Sequence, residues 1–399
     1  MKWREYCLGE VIEIKHGYAF KSQYFSNEGE YILLTPGNCY EEGGLKLKGE
    51  KEKYFIGDIP EGFILNEGDL LVVMTDLVQT APILGGSFFI PEGDKFLHNQ
   101  RLGLVHIIKP KVVNKKFLYY TLNTGSYRGQ VRGSATGATV RHTAPERIYA
   151  CKVELPSYKE QMRITKILSS YDKLIENNRR RIALLEEAAR QLYKEWFVRF
   201  RFPGHEHVKI IDGIPEGWGY KRLIDIADLT MGQSPKSEFY NTDEEGLPFH
   251  QGVTNFGERF VSHGTYCTKP TRLSEPGDIL FSVRAPVGRL NITIDKIILG
   301  RGLAAIRSKK DRQSFLFYQL KSHFFKEDMI GGGAIYASVT KSDLENQEIL
   351  VPTNLLIEEF DEFSSNVDKQ IKTIHLANKR LIEARDILLP KLMSGEIAV

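Results

Sequence analysis

Residues 163–196 read RITKILSSYDKLIENNRRRIALLEEAARQLYKEW, with no glycine or proline anywhere in the stretch. Steps of four and three connect Ile164, Leu168, Tyr171, Ile175, Asn178, Ile182, Leu185, Ala189, Leu192 and Trp196. Residues so spaced fall on one face of a helix, and a seam sustained over four to five heptads favours a helical partner over packing on the adjoining domain alone. A helix over about 157–200 would run roughly 65 Å at the standard rise of 1.5 Å per residue. Asn178 interrupts the seam, either as a tolerated polar residue or as one that sets the register. Arg179, Arg180 and Arg181 lie in a row on the same segment.

The chain is written twice. WREYCLGEVIEIKHGYAFKSQYF from Trp3 answers WGYKRLIDIADLTMGQSPKSEFY from Trp218, aligning Leu8 with Leu223, Gly17 with Gly232 and Lys21 with Lys236. Further along, EGDLLVVM (67–74) resembles PGDILFSV (276–283), and FLYYTL (117–122) resembles FLFYQL (315–320). The long helix recurs too: Asp172 falls on Asp368, Ile175 on Ile371, Leu185 on Leu381 and Leu192 on Leu388. The second seam runs through Phe360, Val367, Ile371, Ile374, Leu381, Leu388 and Leu392, with Ser364, Asn378 and Arg385 on the same stripe. The offset drifts from 215 at the tryptophans to 196 in the helices, as surface loops of different length require. A period near two hundred residues is that of a duplicated globular domain and far exceeds a solenoid unit.

Each globular part carries short β-rich runs such as YILLT, DLLVVM and LNITI between Gly, Pro and Asn turns. One short helix is expected in KKFLYYTLNT and another in RQSFLFYQLKS. The expected class is α+β: two mixed, strand-rich globular domains separated by two long antiparallel coiled-coil helices, pseudo-two-fold by tandem duplication. The boundaries are a first domain over 1–155, a helical spacer over 156–201, a connector over 202–217, a second domain over 218–352 and a second spacer over 353–399. Pro390 is expected to end or kink the second helix.

Composition narrows function by exclusion. The 42% hydrophobic and 26% charged fractions are those of a soluble globular chain. The start MKWREYCLGE has no apolar signal-peptide core, and the longest apolar runs, such as Leu70–Met74, are strand-sized. Four scattered cysteines without a C-x-x-C pair point to reduced thiols and a cytoplasmic protein, with no metal site expected. No phosphate-binding loop, dinucleotide fingerprint, H-E-x-x-H or G-x-S-x-G is present, and no Pro-Pro dipeptide, so no catalytic residues are expected. Triplets such as Glu13-Ile14-Lys15 leave a nuclease reading without an upstream acidic partner. Two similar but diverged domains on a spacer suit the reading of two half-sites on a DNA duplex. Basic residues crowd into TGSYRGQVRGSATGATVRHTAPERI, including Arg128 and Arg147, and recur as Arg284, Arg289, Arg301 and Arg307, where they could hold phosphates or read guanine edges.

LPSYKEQMRITKILSSYDKLIENN (155–178), PEGW (215–218) and LLPKLMSGEI (388–397) make the chain resemble the specificity subunits of type I restriction-modification systems over its whole length. In the second copy, Ile357-Glu358 stands where Glu160-Gln161 would be expected. The resemblance implies a non-catalytic subunit that reads a bipartite asymmetric site on double-stranded DNA with two target-recognition domains. It implies docking of two adenine-N6 methyltransferase subunits and of restriction (motor and nuclease) subunits, with S-adenosylmethionine held by the methyltransferase and no cofactor here. The helices would act as a ruler and docking surface, and Arg179, Arg180 and Arg181 are candidate partner contacts. Loop residues placed in corresponding positions by the duplication are the DNA-binding candidates. They are Lys21, Asn38, Thr75, Gln79, Arg101, Arg132, Thr139, Arg141 and His142 in the first domain. In the second they are Lys236, Gln251, Thr254, Arg284, Arg289, Arg301, Tyr336 and Lys341. The alternative is a stand-alone sequence-specific DNA-binding regulator or architectural protein.

Overall fold

A computed structural model describes residues 3–324 and 338–399. The chain divides into two compact units, Met1–Asn177 with Asn378–Val399, and Asn178–Ala377. Each unit combines one globular part with portions of both long helices, which span Tyr158–Tyr193 and Asn354–Met393.

In the first unit an antiparallel sheet orders Ile12–His16, Leu102–Ile107, Leu70–Val73 and Ser87–Phe89. The strand LLVV is buried at all four positions, and the period of two divides it between two cores. Leu70 and Val72 join Phe117, Tyr120, Ile164 and Leu168 on the helical side, whereas Leu71 and Val73 join Ile32, Phe88 and Phe96 against a second sheet. That second sheet runs Phe25–Ser26, Tyr54–Phe55, Tyr31–Leu33, Phe96–Leu97, its last pair parallel. Arg4–Cys7 pairs with Lys152–Leu155, bringing the chain back to the start of the long helix.

The second unit repeats the plan. Ala227–Met231, Leu303–Ser308, Ile279–Ser282 and Leu290–Ile292 form the first sheet, and Gly219–Arg222 pairs with Glu348–Val351. Ile279 and Phe281 face the helical core while Leu280 faces the other. The five-stranded second sheet again contains one parallel pair, Leu247–His250 with Ile297–Leu299.

Within each unit the two long helices pack antiparallel. In the first, Leu168 and Ile164 share a core with Leu388 and Leu392, Arg385 Nη1 lies 3.0 Å from Asp172 Oδ1, and Asn378 Nδ2 donates to the Ile175 carbonyl at 3.3 Å. In the second, Tyr193 and Phe197 pack edge-on against Phe360, and Ala189 shares a core with Val367 and Ile371. The first helix ends in a π-helical turn, Lys194–Val198.

Two expectations are corrected. The second helix does not end at Pro390 but runs on to Met393. Proline removes one backbone donor there, close to the end, while burial of Leu392 and packing of Leu388, Leu389 and Met393 hold the last turn. Of the basic stretch read as loop, Gly125–Ser134 is a helix capped by Thr124, with Tyr127, Arg128 and Val131 buried. Within the connector Phe202 is buried and Ile210–Ile211 pairs with Ile214–Pro215.

Candidate nucleic-acid interface

The repeats share one hydrogen-bond register, which identifies equivalent loop positions. Met74 N–H donates to the Arg101 carbonyl at 2.9 Å, and Val283 N–H donates to that of Gly302 at 2.9 Å. Tyr18 N–H donates to His98 O and Gln233 N–H to Leu299 O. Arg101 therefore corresponds to Gly302, and Arg301 to Gln100. Leu33 pairs with Leu97 as Phe249 pairs with Ile298, which sets Thr35 opposite Gln251. Thr75 pairs with His142 as Arg284 bridges to Ser338, so Thr75 and Arg284 are counterparts.

In the first unit Lys21, Gln79, Arg101, Thr139 and His142 are exposed and Arg132 is half-buried. Thr75, Arg141 and His142 meet on one small ribbon, where Thr75 Oγ1 lies 3.0 Å from His142 Nδ1. The other candidates are turned inward. Asn38 is fully buried: its Oδ1 accepts from Thr35 N–H and from Lys48 Nζ at 2.9 Å, and its amide donates to Lys46 O and to Glu52. Thr75 is buried as well. Arg141 spends its guanidinium on the carbonyls of Arg132 at 3.0 Å and of Gly137 and Ala135 at 3.4 Å, capping the C-terminus of the 125–134 helix. Arg128 donates to the carbonyls of Glu41 and Pro82 from inside the core. These groups shape loops, because the donors they use on carbonyls and neighbouring side chains point into the protein; Arg128 Nε and Arg141 Nε are buried there without a partner.

The second unit gathers its candidates better. Lys236, Gln251, Thr254 and Arg301 line a single concavity of about 860 Å³, with Ser234, Asn255, Tyr240 and Phe249. Tyr240 stacks on Phe249 at 4.6 Å, and among the described residues no carboxylate lines the concavity. Arg284 and Arg289 are exposed on a neighbouring loop, and Lys341 pairs with Glu345 at 3.3 Å. Tyr336 lies outside the described residues. Arg307 is engaged with the buried Asp278 at 2.6 Å. The partner candidates Arg179, Arg180 and Arg181 are exposed along the first long helix.

Several residues escaped the sequence reading. Behind the concavity, His250 Nε2 lies 3.0 Å from His263 Nδ1, and His263 Nε2 lies 3.0 Å from Asp295 Oδ2. Burial, reinforced by neighbouring His263, lowers the His250 pKa to about 4. Arg259 is buried, pairs with Asp368 and, at 3.4 Å, with Glu186, and lies 4.3 Å from the Phe317 ring centroid. Its place in the chain, GERF, carries no periodic signal. Asp172 and Asp368, aligned by the duplication, each meet a tyrosine of their own globular part: Tyr120 at 2.5 Å and Tyr318 at 3.4 Å. The Glu13-Ile14-Lys15 triplet places Lys15 Nζ on the Gly62 carbonyl at 2.9 Å. Among the described residues no group of three or more His, Cys, Asp or Glu could hold a metal ion, and no described helix is long and apolar enough to cross a membrane.

Fold and surface define a duplicated α+β protein in which one scaffold carries two different sets of polar loop residues on paired long helices. The family profile described as type I restriction modification DNA specificity domain matches residues 1–187 and again 215–383, and the chain belongs to this family. The MjaX type I restriction enzyme specificity subunit of Methanocaldococcus jannaschii is 35% identical over 259 residues, which are 62% of this chain and 60% of that protein. The HindI specificity subunit of Haemophilus influenzae is 23% identical, with 99% of each chain covered. The crystal structure of a type I restriction-modification S subunit from M. genitalium shares the fold, with TM-score 0.61 and 17% identity over 98% of this chain and 96% of that one.

Proposed function

We propose that this chain is the non-catalytic DNA-specificity subunit of a type I restriction-modification enzyme and reads a bipartite, asymmetric site with one half per recognition domain. One observation carries the asymmetry: equivalent positions of a shared scaffold hold different side chains. Thr35 corresponds to Gln251, Gln100 to Arg301, Arg101 to Gly302 and Thr75 to Arg284. A common register keeps both surfaces foldable, while the side chains differ in charge and in donors, the properties by which base edges are told apart. The exposed candidates, Lys21, Gln79, Arg101, Thr139 and His142 in one domain and Lys236, Gln251, Thr254, Arg284, Arg289 and Arg301 in the other, are the contacts this reading assigns to DNA.

Adenine-N6 methylation then belongs to two docked methyltransferase subunits, which bring S-adenosylmethionine, and cleavage to the restriction subunits. The long helices offer the docking surface: Ile167 and Phe363 sit at equivalent positions and stay 36% and 41% exposed. Arg179–Arg181 extend that surface with positive charge. The test is co-production with the methyltransferase subunit followed by mapping of methylated adenines. A two-part asymmetric motif is expected. Tight, sequence-specific DNA binding by the chain alone, unaffected by the methyltransferase, would instead establish a stand-alone regulator.

A further inference from the structure

Two hydrogen bonds at the rim of the second unit's concavity have a direction that matters. Ser234 Oγ accepts from the Arg301 backbone N–H at 3.1 Å and lies 2.7 Å from Gln251 Oε1, the spacing of an O–H···O bond. Because the atom facing it is the amide oxygen, the Ser234 hydroxyl donates its one proton to Gln251. With its oxygen held inward, the exposed amide presents Nε2, which has no intramolecular partner among the described residues. Two glycines lock the register: Gly300 N–H donates to His250 O at 2.8 Å, and Gly302 N–H donates to Gln251 O at 3.0 Å. A Cβ on Gly300 would stand 2.7 Å from Gln251 Cα, so the close approach requires glycine. Arg301 lies between them, exposed on the same rim as Lys236. Tyr240 turns its hydroxyl onto the Pro235 carbonyl at 2.8 Å.

Gln251 Nε2, Arg301 and Lys236 put donors on this rim. A guanine offers two adjacent acceptors in the major groove, N7 and O6, whereas an adenine offers one acceptor and one donor. A glutamine free to place both amide atoms on the base pairs with adenine; one whose oxygen already accepts from Ser234 is turned to offer Nε2 first and loses much of that preference. We propose that the second recognition domain requires a guanine in its half-site, read by Gln251 Nε2 and Arg301, with Ser234 acting as the positioning residue that orients the amide. The inference rests on the DNA-reading function proposed above. The first domain carries Thr35 and Gln100 at these positions and is not bound by the same requirement.

The complete system, with its methyltransferase, is placed in a host free of other adenine methylation, and methylated sites are sequenced genome-wide. The wild-type motif is expected to contain an obligatory guanine in one half. Ser234→Ala should admit adenine at that position at least about tenfold more often, the other half being unchanged. Gln251→Ala removes an exposed side chain and should admit all four bases there; it decides the matter if Ser234→Ala abolishes methylation. A wild-type motif with no obligatory guanine in either half overturns the proposal. So do a Gln251→Ala motif identical to wild type and changes confined to positions that are not guanine. Absence of any sequence-specific methylation by the wild type would overturn the DNA-reading function itself.

Discussion

A guanidinium buried as deeply as that of Arg259 is stable only with carboxylates and ring faces around it. Asp368 and Glu186 come from the two long helices and Phe317 from the globular part, so one side chain ties the second unit together. Arg259→Ala should cost about 3–5 kcal/mol by leaving Asp368 and Glu186 without their cation. Urea denaturation followed by tryptophan emission reads it, since Trp196 and Trp218 both belong to this unit. Arg385→Ala in the first unit should cost only about 1–2 kcal/mol, because the Asp172 pair is partly solvated and Asp172 keeps its bond from Tyr120. Equal losses would contradict this ranking. His98 supplies a prediction in pH. It is fully buried, its Nε2 lies 2.9 Å from Leu102 O, and burial lowers its pKa to about 4. Below pH 6.5 the unfolded chain takes up a proton that the folded unit refuses until about pH 4. The stability tied to this ring is therefore complete above 6.5 and is lost as pH falls toward 4, by about 3 kcal/mol. Leucine stands at the equivalent position, Leu299. His98→Leu should flatten the acid loss, read as amide exchange in Leu102–Ile107 between pH 6.5 and 4; an unchanged slope would refute it.

At the scale of elements, the seams of both long helices were legible because period and length suffice to mark a helix that has a partner. Phe360, Val367, Ile371 and Leu392 are buried as the spacing demands, and Ser364 is buried among them. The helix Gly125–Ser134 was not legible. Gly125, Gly129 and Gly133 each lower its propensity, and what holds it is burial of Tyr127 and Val131 together with carbonyls from distant loops that receive Arg128. Pro390 misleads for the same reason, since packing of Leu392 outweighs one missing backbone bond. On the outer faces, Ile167 and Phe363 are apolar where a solvated helix favours polar side chains. Changing both to glutamate should weaken methyltransferase association about 10- to 100-fold while circular dichroism and melting stay unchanged. Association at wild-type strength would place the docking surface elsewhere.

For the whole molecule, the proposed reading of one half-site per domain makes the spacing between half-sites depend on the length of the helices. Inserting one heptad into each adds about 10 Å of helix, the rise of about three base pairs. The nonspecific spacer of the methylated motif should lengthen while both half-sites persist; altered half-sites with an unaltered spacer would sink the ruler idea. The sequence by itself determined the duplicated plan, the paired helices and the family resemblance, because each is written as periodicity or repetition along one dimension. It also supplied the polar loop positions from which Lys236, Gln251, Thr254 and Arg301 meet in one concavity. Only the tertiary structure decided which polar groups face outward. Asn38 and Arg141 are spent on backbone and neighbouring side chains, while Gln251 is aimed by Ser234. Hydrogen-bond partners such as Arg128 and Glu41, or Ser234 and Arg301, are far apart in the chain. No local pattern records which donor is already satisfied, because folding alone brings the acceptor to it.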